Sequence, residues 1–334
     1  MNVLLTSCGR RSYLIEFFKE VLHAEGGRVF ASNSIYTNAL SHADGHFITP
    51  GIYEDGYIEA LLRICRDNGI SVIISLFDID LPVLSKNRER FAERGVRVIV
   101  SAPEVIDICN DKWKTACYLK EQGIAHPQTY LSVEEALEHL AFPMIVKPRW
   151  GMGSISVQKA ETKEELAVLF EKVKRDLFRS YLKYESASDA ERCVLVQECI
   201  QGKEYGLDVV NDLQGNHVGC IVKHKIAMRA GETDEAVIVD SPELQRLGAK
   251  IAAGLRHIGN LDVDCFVAGE KAYVLELNCR FGGQYPFSHL AGANLPAQII
   301  RWAQGGDTVS EWCTAQPGVR SCKELVPTRM NNPE

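Results

Sequence analysis

Residues 261–283 read LDVDCFVAGEKAYVLELNCRFGG, and this stretch decides how the rest of the chain is interpreted. Two short runs rich in apolar residues, 262–267 and 272–277, flank a glycine-containing turn at 268–271. Such runs on either side of a short turn predict a β-hairpin. The importance of this hairpin lies in the polar side chains that it brings to one face.

Side chains alternate across a strand, so Glu276 and Asn278 point to the same face, and Asp264 on the partner strand can reach it. Three oxygen donors followed at once by Arg280 are typical of a site that holds Mg²⁺ beside a phosphate. The alternative is an edge hairpin with solvated carboxylates. That alternative is disfavoured because Glu276 lies inside the apolar run 273–277, where a carboxylate is costly to desolvate without a compensating cation.

The composition limits the class of protein. A chain of 334 residues, 46% hydrophobic and 24% charged, can form two or three packed lobes. No apolar run approaches the roughly 20 residues of a membrane span, and the N-terminal sequence lacks the features of a secretory signal. Eleven cysteines without any CxxC pair predict reduced thiols, no zinc site and a cytoplasmic location. A net charge of −7 argues against a large nucleic-acid surface.

The first hundred residues alternate between strand and helix patterns. Nearly continuous apolar strands separated by helices predict a parallel sheet covered on both faces, with ligands beyond the carboxyl ends of the strands. The predicted strands are 3–5, 28–32, 71–76 and 96–100, and the predicted helices are 12–24, 55–68 and 81–94.

Two loops follow strands of this predicted sheet. The first retains only Gly9 of the dinucleotide-binding pattern G-x-G-x-x-G, which disfavours a nicotinamide site. Arg10 and Arg11 in this loop are candidates for binding a substrate carboxylate, with an exposed turn as the alternative. In the second loop, Asp78 and Asp80 are candidates for binding an amine, although Asp80 is better placed to cap the following helix.

A glycine-rich turn at 149–156 joins two predicted strands, 143–148 and 157–159. Glycines let the backbone approach a phosphate closely, and Lys147 just before the turn adds a positive charge. A plain hairpin with a surface lysine is the alternative. Other segments are predicted as helices at 112–122, 164–174, 241–258 and from 296, strands at 194–200, 205–210 and 218–225, a charged serine-rich connection at 183–192, and a weakly patterned tail from 305.

Taken in order, these motifs resemble the ATP-grasp superfamily over roughly residues 1 to 305. They are most similar to its branch related to the carbamoyl-phosphate synthase large subunit, which includes single-unit carboxylate–amine ligases such as pyrrolysine-biosynthesis ligase. The motifs are Asp111-Lys112, Val146-Lys147-Pro148, Gly151-x-Gly153-Ser154, Gln197-Glu198-x-Ile200-x-Gly202-x-Glu204 with Asp208, Arg229-Ala230-Gly231-Glu232 and Glu276-Leu277-Asn278-Cys279-Arg280.

The resemblance implies an α/β chain whose N-terminal parallel-sheet domain, of the Rossmann-like pre-ATP-grasp type, covers residues 1–103. A two-lobed α+β ATP-grasp domain would follow. Its N-terminal lobe, with a glycine-rich lid, would cover 104–195 and its C-terminal lobe, with a Mg²⁺ site, 196–310. Residues 311–334 would form a tail.

The resemblance also implies a nucleotide site. Lys112 and Lys147 would hold the α- and β-phosphates of ATP, Glu198 would contact the adenine amine, and Glu204 would accept hydrogen bonds from the ribose. The full implied set is Lys112, Lys147, Gly151, Gly153, Ser154, Glu198, Cys199, Ile200 and Glu204.

The implied metal ligands are Asp264, Glu276 and Asn278, which would bind one or two Mg²⁺ ions, with Mn²⁺ as an alternative. Arg280, Lys147 and Arg229 would be the catalytic residues, with Arg280 on the transferring phosphoryl group and Arg229 near the phosphates or the acyl phosphate. One departure from the family is Cys279, because a proline usually stands between the asparagine and the arginine.

The implied function is that of an ATP-dependent carboxylate–amine ligase that activates a small carboxylate or amino acid as an acyl phosphate and releases ADP and phosphate. Its expected partners are ATP, a small carboxylate and an amine, with no nucleic acid and no membrane; a homodimer is left open. One alternative is a carbamoyl-phosphate-synthase-like unit that phosphorylates bicarbonate or carbamate. Another is a non-catalytic ATP-binding regulator, and a nicotinamide oxidoreductase rests on the N-terminal sheet alone.

Overall fold

The computed structural model describes residues 1–330, and its first sheet contains five parallel strands. Alternate residues of the first strand face opposite sides: Val3 and Leu5 pack in the core formed with the first helix, whereas Leu4 packs with the second and third helices. Both faces are therefore covered, which confirms the predicted parallel α/β domain. In chain order the elements are β1 (Asn2–Thr6), α1 (Ser12–Ala24), β2 (Arg28–Asn33), β3 (Gly45–Ile48), α2 (Tyr57–Asn68), β4 (Ile70–Ser75), α3 (Asp80–Ala92) and β5 (Arg97–Ile99).

The strands lie in the order β3-β2-β1-β4-β5, and the edge strand β3 was not predicted from the sequence. Its four residues alternate between exposed and half-buried side chains, so it lacks the continuous apolar pattern of the central strands. The loops that follow β1 and β4, at the carboxyl ends of these strands, line part of the candidate site.

The middle of the chain forms a small antiparallel sheet in the order β6-β9-β7-β8, with β7 at its centre. The predicted boundary between residues 195 and 196 falls inside β9. The elements are α4 (Pro103–Asn110), α5 (Lys112–Glu121), β6 (Thr129–Tyr130), α6 (Val133–His139), β7 (Met144–Pro148), β8 (Gln158–Ala160), α7 (Lys163–Leu177), α8 (Lys183–Ser186) and β9 (Val194–Glu198).

A six-stranded antiparallel sheet follows, in the order β14-β13-β10-β11-β12-β15. The predicted hairpin is present as β13 and β14, and it places Asp264 opposite Glu276 and Asp262 opposite Asn278. The elements are β10 (Lys203–Asn211), β11 (His217–Arg229), β12 (Glu232–Ile238), α9 (Pro242–Leu255), β13 (Gly259–Ala268), β14 (Lys271–Asn278), α10 (Tyr285–Leu290), α11 (Leu295–Ala303) and β15 (Arg320–Cys322).

The predicted tail includes part of this sheet, because β15 pairs with β12. A strand of three residues is too short to produce a periodic signal in the sequence. The last four residues of the predicted tail, 331–334, lie outside the described residues. No helix within residues 1–330 combines the length and the apolar character that crossing a membrane requires.

Candidate active site

A cavity of about 300 Å³ lies between the two antiparallel sheets and contains every residue of the predicted nucleotide set. Its walls come from β7, the glycine-rich loop (residues 149–156), β9, β10 and the β13–β14 hairpin. Elements separated by more than a hundred residues therefore converge here. The predicted residues on its wall are Lys112, Lys147, Gly151, Gly153, Ser154, Glu198, Cys199, Ile200 and Glu204, together with Asp264 and Glu276.

Two lysines define one end of this cavity. Lys112 is the first residue of α5, and its Nζ atom donates to the Gly151 carbonyl and lies 3.4 Å from Oε2 of Glu276. Lys147 is 7% exposed, and burial lowers its pKa to about 8, with further repulsion from Lys112 and an opposing effect of Glu276. Paired buried cations of this kind attract a polyphosphate, whose charge would offset both their repulsion and their desolvation.

Arg149 fixes the first of these lysines, a role that was not predicted from the sequence. The guanidinium group donates to both oxygens of Asp111 at 2.7–3.0 Å, and the Arg149 carbonyl accepts from the Lys112 amide at 3.1 Å. Asp111 also caps α5 by accepting from the amides of Trp113 and Lys114. A buried bidentate ion pair thus ties the start of α5 to the end of β7.

The glycine-rich loop lies between two close neighbours. Gly151 has φ +125°, and a Cβ atom there would lie 2.8 Å from a methyl group of Leu182. On the other side, a Cβ atom at Gly231 would lie 2.6 Å from the carbonyl oxygen of Gly153. Only glycine permits both close approaches, so the loop is packed against its surroundings at both contacts.

The opposite end of the cavity is more apolar and suits a planar ring. Glu198 accepts a hydrogen bond from the Gln128 amide at 3.1 Å, which anchors the chain just before Cys199 and Ile200. Glu204 lies nearby, 2.7 Å from Lys225. Apolar walls that the sequence analysis did not identify come from Ile145, Val157, Met228, Phe266 and Leu275.

Two of the three predicted metal ligands, Asp264 and Glu276, lie on the wall of this cavity. Burial raises the pKa of Asp264 to about 7, with the attraction of Lys225 at 2.6 Å opposed by repulsion from Asp262 and Glu276. Burial also raises the pKa of Glu276, but Lys112, Lys147 and other nearby cations outweigh it, so this pKa is lowered.

Asn278 is 8% exposed, and its side chain makes no hydrogen bond within residues 1–330 although it faces a cavity. Within residues 1–330, no group of three or more Asp, Glu, His or Cys side chains is arranged to hold a metal ion. The predicted set instead combines two carboxylates with one amide. An all-oxygen set with a free amide fits the preference of Mg²⁺ for few protein ligands shared with phosphates.

A second cavity, of about 370 Å³, adjoins the first. Lys225, Asp264 and Glu276 belong to the walls of both, so the two cavities meet at the predicted metal ligands. Most of its other residues come from the loops after β1 and β4, the glycine-rich loop, the hairpin between β11 and β12, and the region around the end of β14, and Tyr181 comes from the connection after α7. Among them are Arg10, Arg11, Phe77, Tyr181, Glu232, Asn278, Arg280 and Gln284.

Arg280 faces this second cavity and is held by two carboxylates. Its guanidinium group donates to Asp78 at 2.8 Å and to Asp262 at 2.8 Å. Burial lowers the pKa of Arg280, but these carboxylates more than compensate and raise it. The structure therefore pairs Oδ2 of Asp78 with Arg280, whereas Oδ1 is buried and has no hydrogen-bond partner within residues 1–330.

Asp80 and Arg11 differ from expectation, whereas Arg10 does not. Asp80 is fully buried and accepts hydrogen bonds from the hydroxyls of Thr6, Tyr57 and Ser75, so its side chain does not cap α3. Arg11 donates to the carbonyls of Leu76 and Phe281, which occupies it within the protein. Arg10 is exposed, and among residues 1–330 it has no ion-pair partner.

Among the residues predicted to bind the nucleotide or the metal or to act in catalysis, Arg229 alone lies outside both cavities. Its half-exposed side chain pairs with Asp234 and donates to the Lys323 carbonyl at 3.2 Å. Lys225, four residues earlier on β11, takes the central position between Glu204 and Asp264. The alternation of Lys223 and Lys225 along an apolar strand was the signal for an inward-facing lysine.

Comparison with solved structures shows the same architecture. The biotin carboxylase domain of 2-oxoglutarate carboxylase from Hydrogenobacter thermophilus, solved with MgADP, ADP and bicarbonate, aligns with a TM-score of 0.73 at 18% identity over 92% of this chain and 70% of that one. The L-amino acid ligase of Bacillus licheniformis aligns with a TM-score of 0.66 at 19% identity over 90% and 73% of the two chains. N5-carboxyaminoimidazole ribonucleotide synthetase from Thermotoga maritima gives 0.66 at 17% identity over 93% and 77%.

Family models match the sequence directly. The N-terminal domain described as PylC-like matches residues 3–99, and the ATP-grasp domain matches residues 109–284. The second match alone covers more than half of the 334 residues and includes the lysines, the glycine-rich loop and the β13–β14 hairpin. The resemblance noted in the sequence is thereby confirmed, and the chain belongs to the ATP-grasp family.

Proposed function

We propose that this chain is an ATP-dependent, ADP-forming carboxylate–amine ligase that activates a small carboxylate or an amino acid as an acyl phosphate. The observation that carries the proposal is the common wall of the two cavities, where Lys225, Asp264 and Glu276 are the charged residues. A triphosphate whose end lies against these residues would face directly into the second cavity. That geometry is what phosphoryl transfer between two bound molecules requires.

ATP-grasp proteins bind ATP with Mg²⁺, and the nucleotide cavity fits both. Lys112 and Lys147 would hold the phosphates, and the apolar walls would receive the adenine. Asp264, Glu276 and Asn278 would hold Mg²⁺, which when bound would offset the charge of the phosphate oxygens. In this structure Lys112 contacts the carboxylate of Glu276, and Lys225 contacts that of Asp264. When the ion binds, both carboxylates would exchange these lysine contacts for contacts with the ion.

The chemistry explains why a second cavity is needed. A carboxylate is a poor substrate for direct attack by an amine because its oxygen is a poor leaving group. In the proposed reaction a carboxylate oxygen attacks the γ-phosphorus, and the bond to the ADP oxygen breaks. The amine nitrogen then attacks the carbonyl carbon, phosphate leaves with the electrons of the C–O bond, and the nitrogen loses a proton to water or a neighbouring base.

The residues of the chain would guide these steps by position and charge. Arg280, fixed by Asp78 and Asp262, would stabilise negative charge on the transferring group without having to reorganise. Lys225 would do the same from the opposite wall. Closure of the glycine-rich loop would exclude water, which would otherwise hydrolyse the acyl phosphate.

The volume of the second cavity favours an organic substrate. About 370 Å³ is more than bicarbonate or carbamate requires and is suited to a molecule of amino-acid size. The carbamate-phosphorylating alternative is therefore the second candidate.

Release of ADP from MgATP in the presence of pools of amino acids and small carboxylates, with and without amines, tests the proposal. We expect one pool to stimulate ADP release and to yield an amide product detectable by mass spectrometry. Formation of carbamoyl phosphate from bicarbonate and ammonia would instead support the second candidate. Tight MgATP binding without stimulation by any pool would contradict both and favour a regulator.

A further inference from the structure

Residues 178–192, which we call the bridging segment, lie between α7 and β9 and include α8. The sequence predicted only a charged connection in this region. In the structure the segment is helical over residues 183–186 and continues as a 3-10 helix over 187–192. It contacts both the N-terminal domain and the glycine-rich loop.

On one side, the segment is fastened to the loops of the N-terminal domain. The hydroxyl of Tyr53 donates a hydrogen bond to Oε1 of Glu185, and the ring of Tyr53 lies 4.8 Å from that of Tyr184. The rings of Phe77 and Tyr181 lie 6.1 Å apart. These two aromatic pairs and one hydrogen bond, which we call the clasp, join residues far apart in sequence.

On its other side, the segment supports the phosphate-binding part of the nucleotide site. Leu182 is fully buried and packs directly against Gly151, where a Cβ atom would lie 2.8 Å away. The Tyr181 hydroxyl lies 3.6 Å from the Met152 sulfur. Asp189 accepts from Arg149 at 2.9 Å, so the segment also reaches the ion pair that positions Lys112.

The contacts of the clasp are weak enough to break in each cycle. Burial raises the pKa of Glu185, and its second oxygen, Oε2, is buried with no hydrogen-bond partner in residues 1–330. A buried carboxylate that is only half satisfied gains hydration when the contact breaks, so the closed state is only modestly favoured. A lid that must admit ATP and release ADP in every cycle needs this balance.

We propose that Tyr53 and Glu185 are positioning residues that fasten the bridging segment to the N-terminal domain and thereby, through Leu182, hold the glycine-rich loop closed over the nucleotide. The proposal rests on the nucleotide site of the proposed function but not on the identity of the carboxylate or the amine. Loss of the clasp therefore speeds nucleotide release without changing any group that touches the nucleotide.

The test measures how fast N-methylanthraniloyl-ADP leaves the full-length protein in the presence of Mg²⁺. Tyr53→Phe removes one oxygen from a residue that is 41% exposed, so the fold is preserved. We expect Y53F and Glu185→Ala each to raise the dissociation rate constant about 5-fold, the effect of losing one hydrogen bond. Glu185→Gln, which still accepts the hydroxyl hydrogen, should release the probe at the original rate.

The double variant Y53F/E185A should be no faster than either single variant, because both remove the same contact. Tyr36→Phe, which removes a tyrosine hydroxyl elsewhere in the N-terminal domain, is the matched control. Unchanged release from Y53F and E185A, or additive effects in the double variant, would overturn the clasp. Failure of every protein, the control included, to bind the probe would instead overturn the nucleotide site itself.

Discussion

The Nζ atom of Lys112 lies 3.4 Å from Oε2 of Glu276, so the start of α5 and the end of β14 meet across the nucleotide cavity. The contact joins a residue predicted to bind phosphate to one predicted to bind metal. Burial raises the pKa of Glu276, but the charges of Lys112 and Lys147 lower it by more, so the net change is a decrease. Glu276 is therefore ionised at neutral pH, as a ligand of a divalent cation must be.

Glu276→Gln keeps the shape of this side chain and removes its charge. We expect substrate-stimulated ADP release to fall at least about 100-fold, because one ligand for the ion that offsets phosphate charge is weakened. Nucleotide affinity should change far less, since the lysines and the apolar walls remain. Steady-state kinetics and calorimetric titration with ADP measure the two quantities.

Glu270→Gln, in the exposed turn of the same hairpin, is the matched control and should behave as the parent protein. If E276Q retained the parent rate, Glu276 would not be a metal ligand in the reaction. The role of the Glu276 carboxylate in the parent protein would then be limited to its contact with Lys112.

The hairpin carrying Glu276 could be predicted from sequence because its pattern is local: alternating side chains, a glycine turn and a buried carboxylate all lie within 23 consecutive residues. The pairing of Asp78 with Arg280 could not be, since 202 residues separate them and nothing near either residue indicates the other. Residues 320–322 likewise show no strand pattern in the sequence, because this short strand forms by pairing with the edge of β12.

Side-chain direction was the second limit on prediction. Arg229 was placed near the phosphates by motif resemblance, yet it pairs with Asp234 outside both cavities, whereas Lys225 on the same strand lies between them. β11 carries register irregularities between Lys225 and Met228, so a strict alternation counted along the sequence fails at this point. Only the folded strand shows which cation faces inward.

Nucleotide affinity should fall as the pH rises through about 8. Burial, with repulsion from Lys112, lowers the pKa of Lys147 to about 8. Below that pH the free protein offers the phosphates a charged ammonium; above it, binding must first supply a proton, and affinity decreases by up to tenfold per pH unit. Calorimetric titration with MgADP from pH 7 to 9.5 measures the effect.

Lys147→Arg provides the comparison for this pH dependence, because a guanidinium stays protonated over the whole range. Its affinity should be nearly independent of pH between 7 and 9.5, even if weaker overall. Parallel curves for the two proteins would show that the titrating group is not Lys147.

Gly231→Ala should prevent the glycine-rich loop from closing. The new Cβ atom would lie 2.6 Å from the Gly153 carbonyl oxygen, and Gly231 has φ +80°, a conformation that alanine adopts only with strain. We expect the dissociation rate of N-methylanthraniloyl-ADP to rise about 10-fold, equivalent to the loss of one or two favourable contacts.

Gly269→Ala separates collision from strain, since Gly269 also has positive φ (+61°) but no atom within 4 Å of the added Cβ. This variant should lose a little stability and release the probe at the original rate. Equal release rates for G231A and the parent protein would mean that the contact between Gly231 and Gly153 does not hold the loop.

The stability of the fold should depend on the protonation of His257, which is fully buried beneath β10. Its Nε2 atom donates to the Val209 carbonyl at 3.0 Å, and Nδ1 accepts from the side-chain Nδ2 of Asn211 at 3.4 Å, so the ring is neutral and its tautomer is fixed. Burial lowers the pKa of His257 from 6.5 to about 4 despite the Val209 hydrogen bond, and the charge of His217 adds to the decrease.

Between pH 6.5 and 4 the unfolded chain therefore binds a proton at this position that the folded chain does not. The free energy of unfolding should decrease by up to about 1.4 kcal/mol per pH unit on this account, or about 3 kcal/mol across the window. Above pH 6.5 both states are neutral, so this residue adds no pH dependence. Urea titrations at several pH values, compared with those of His257→Gln, isolate the effect as a difference between two curves. The ¹⁵N shifts of the His257 ring provide an independent check: a ring that titrates near pH 6.5 in the folded protein would contradict the prediction, because the unfolded and folded states would then take up the proton together.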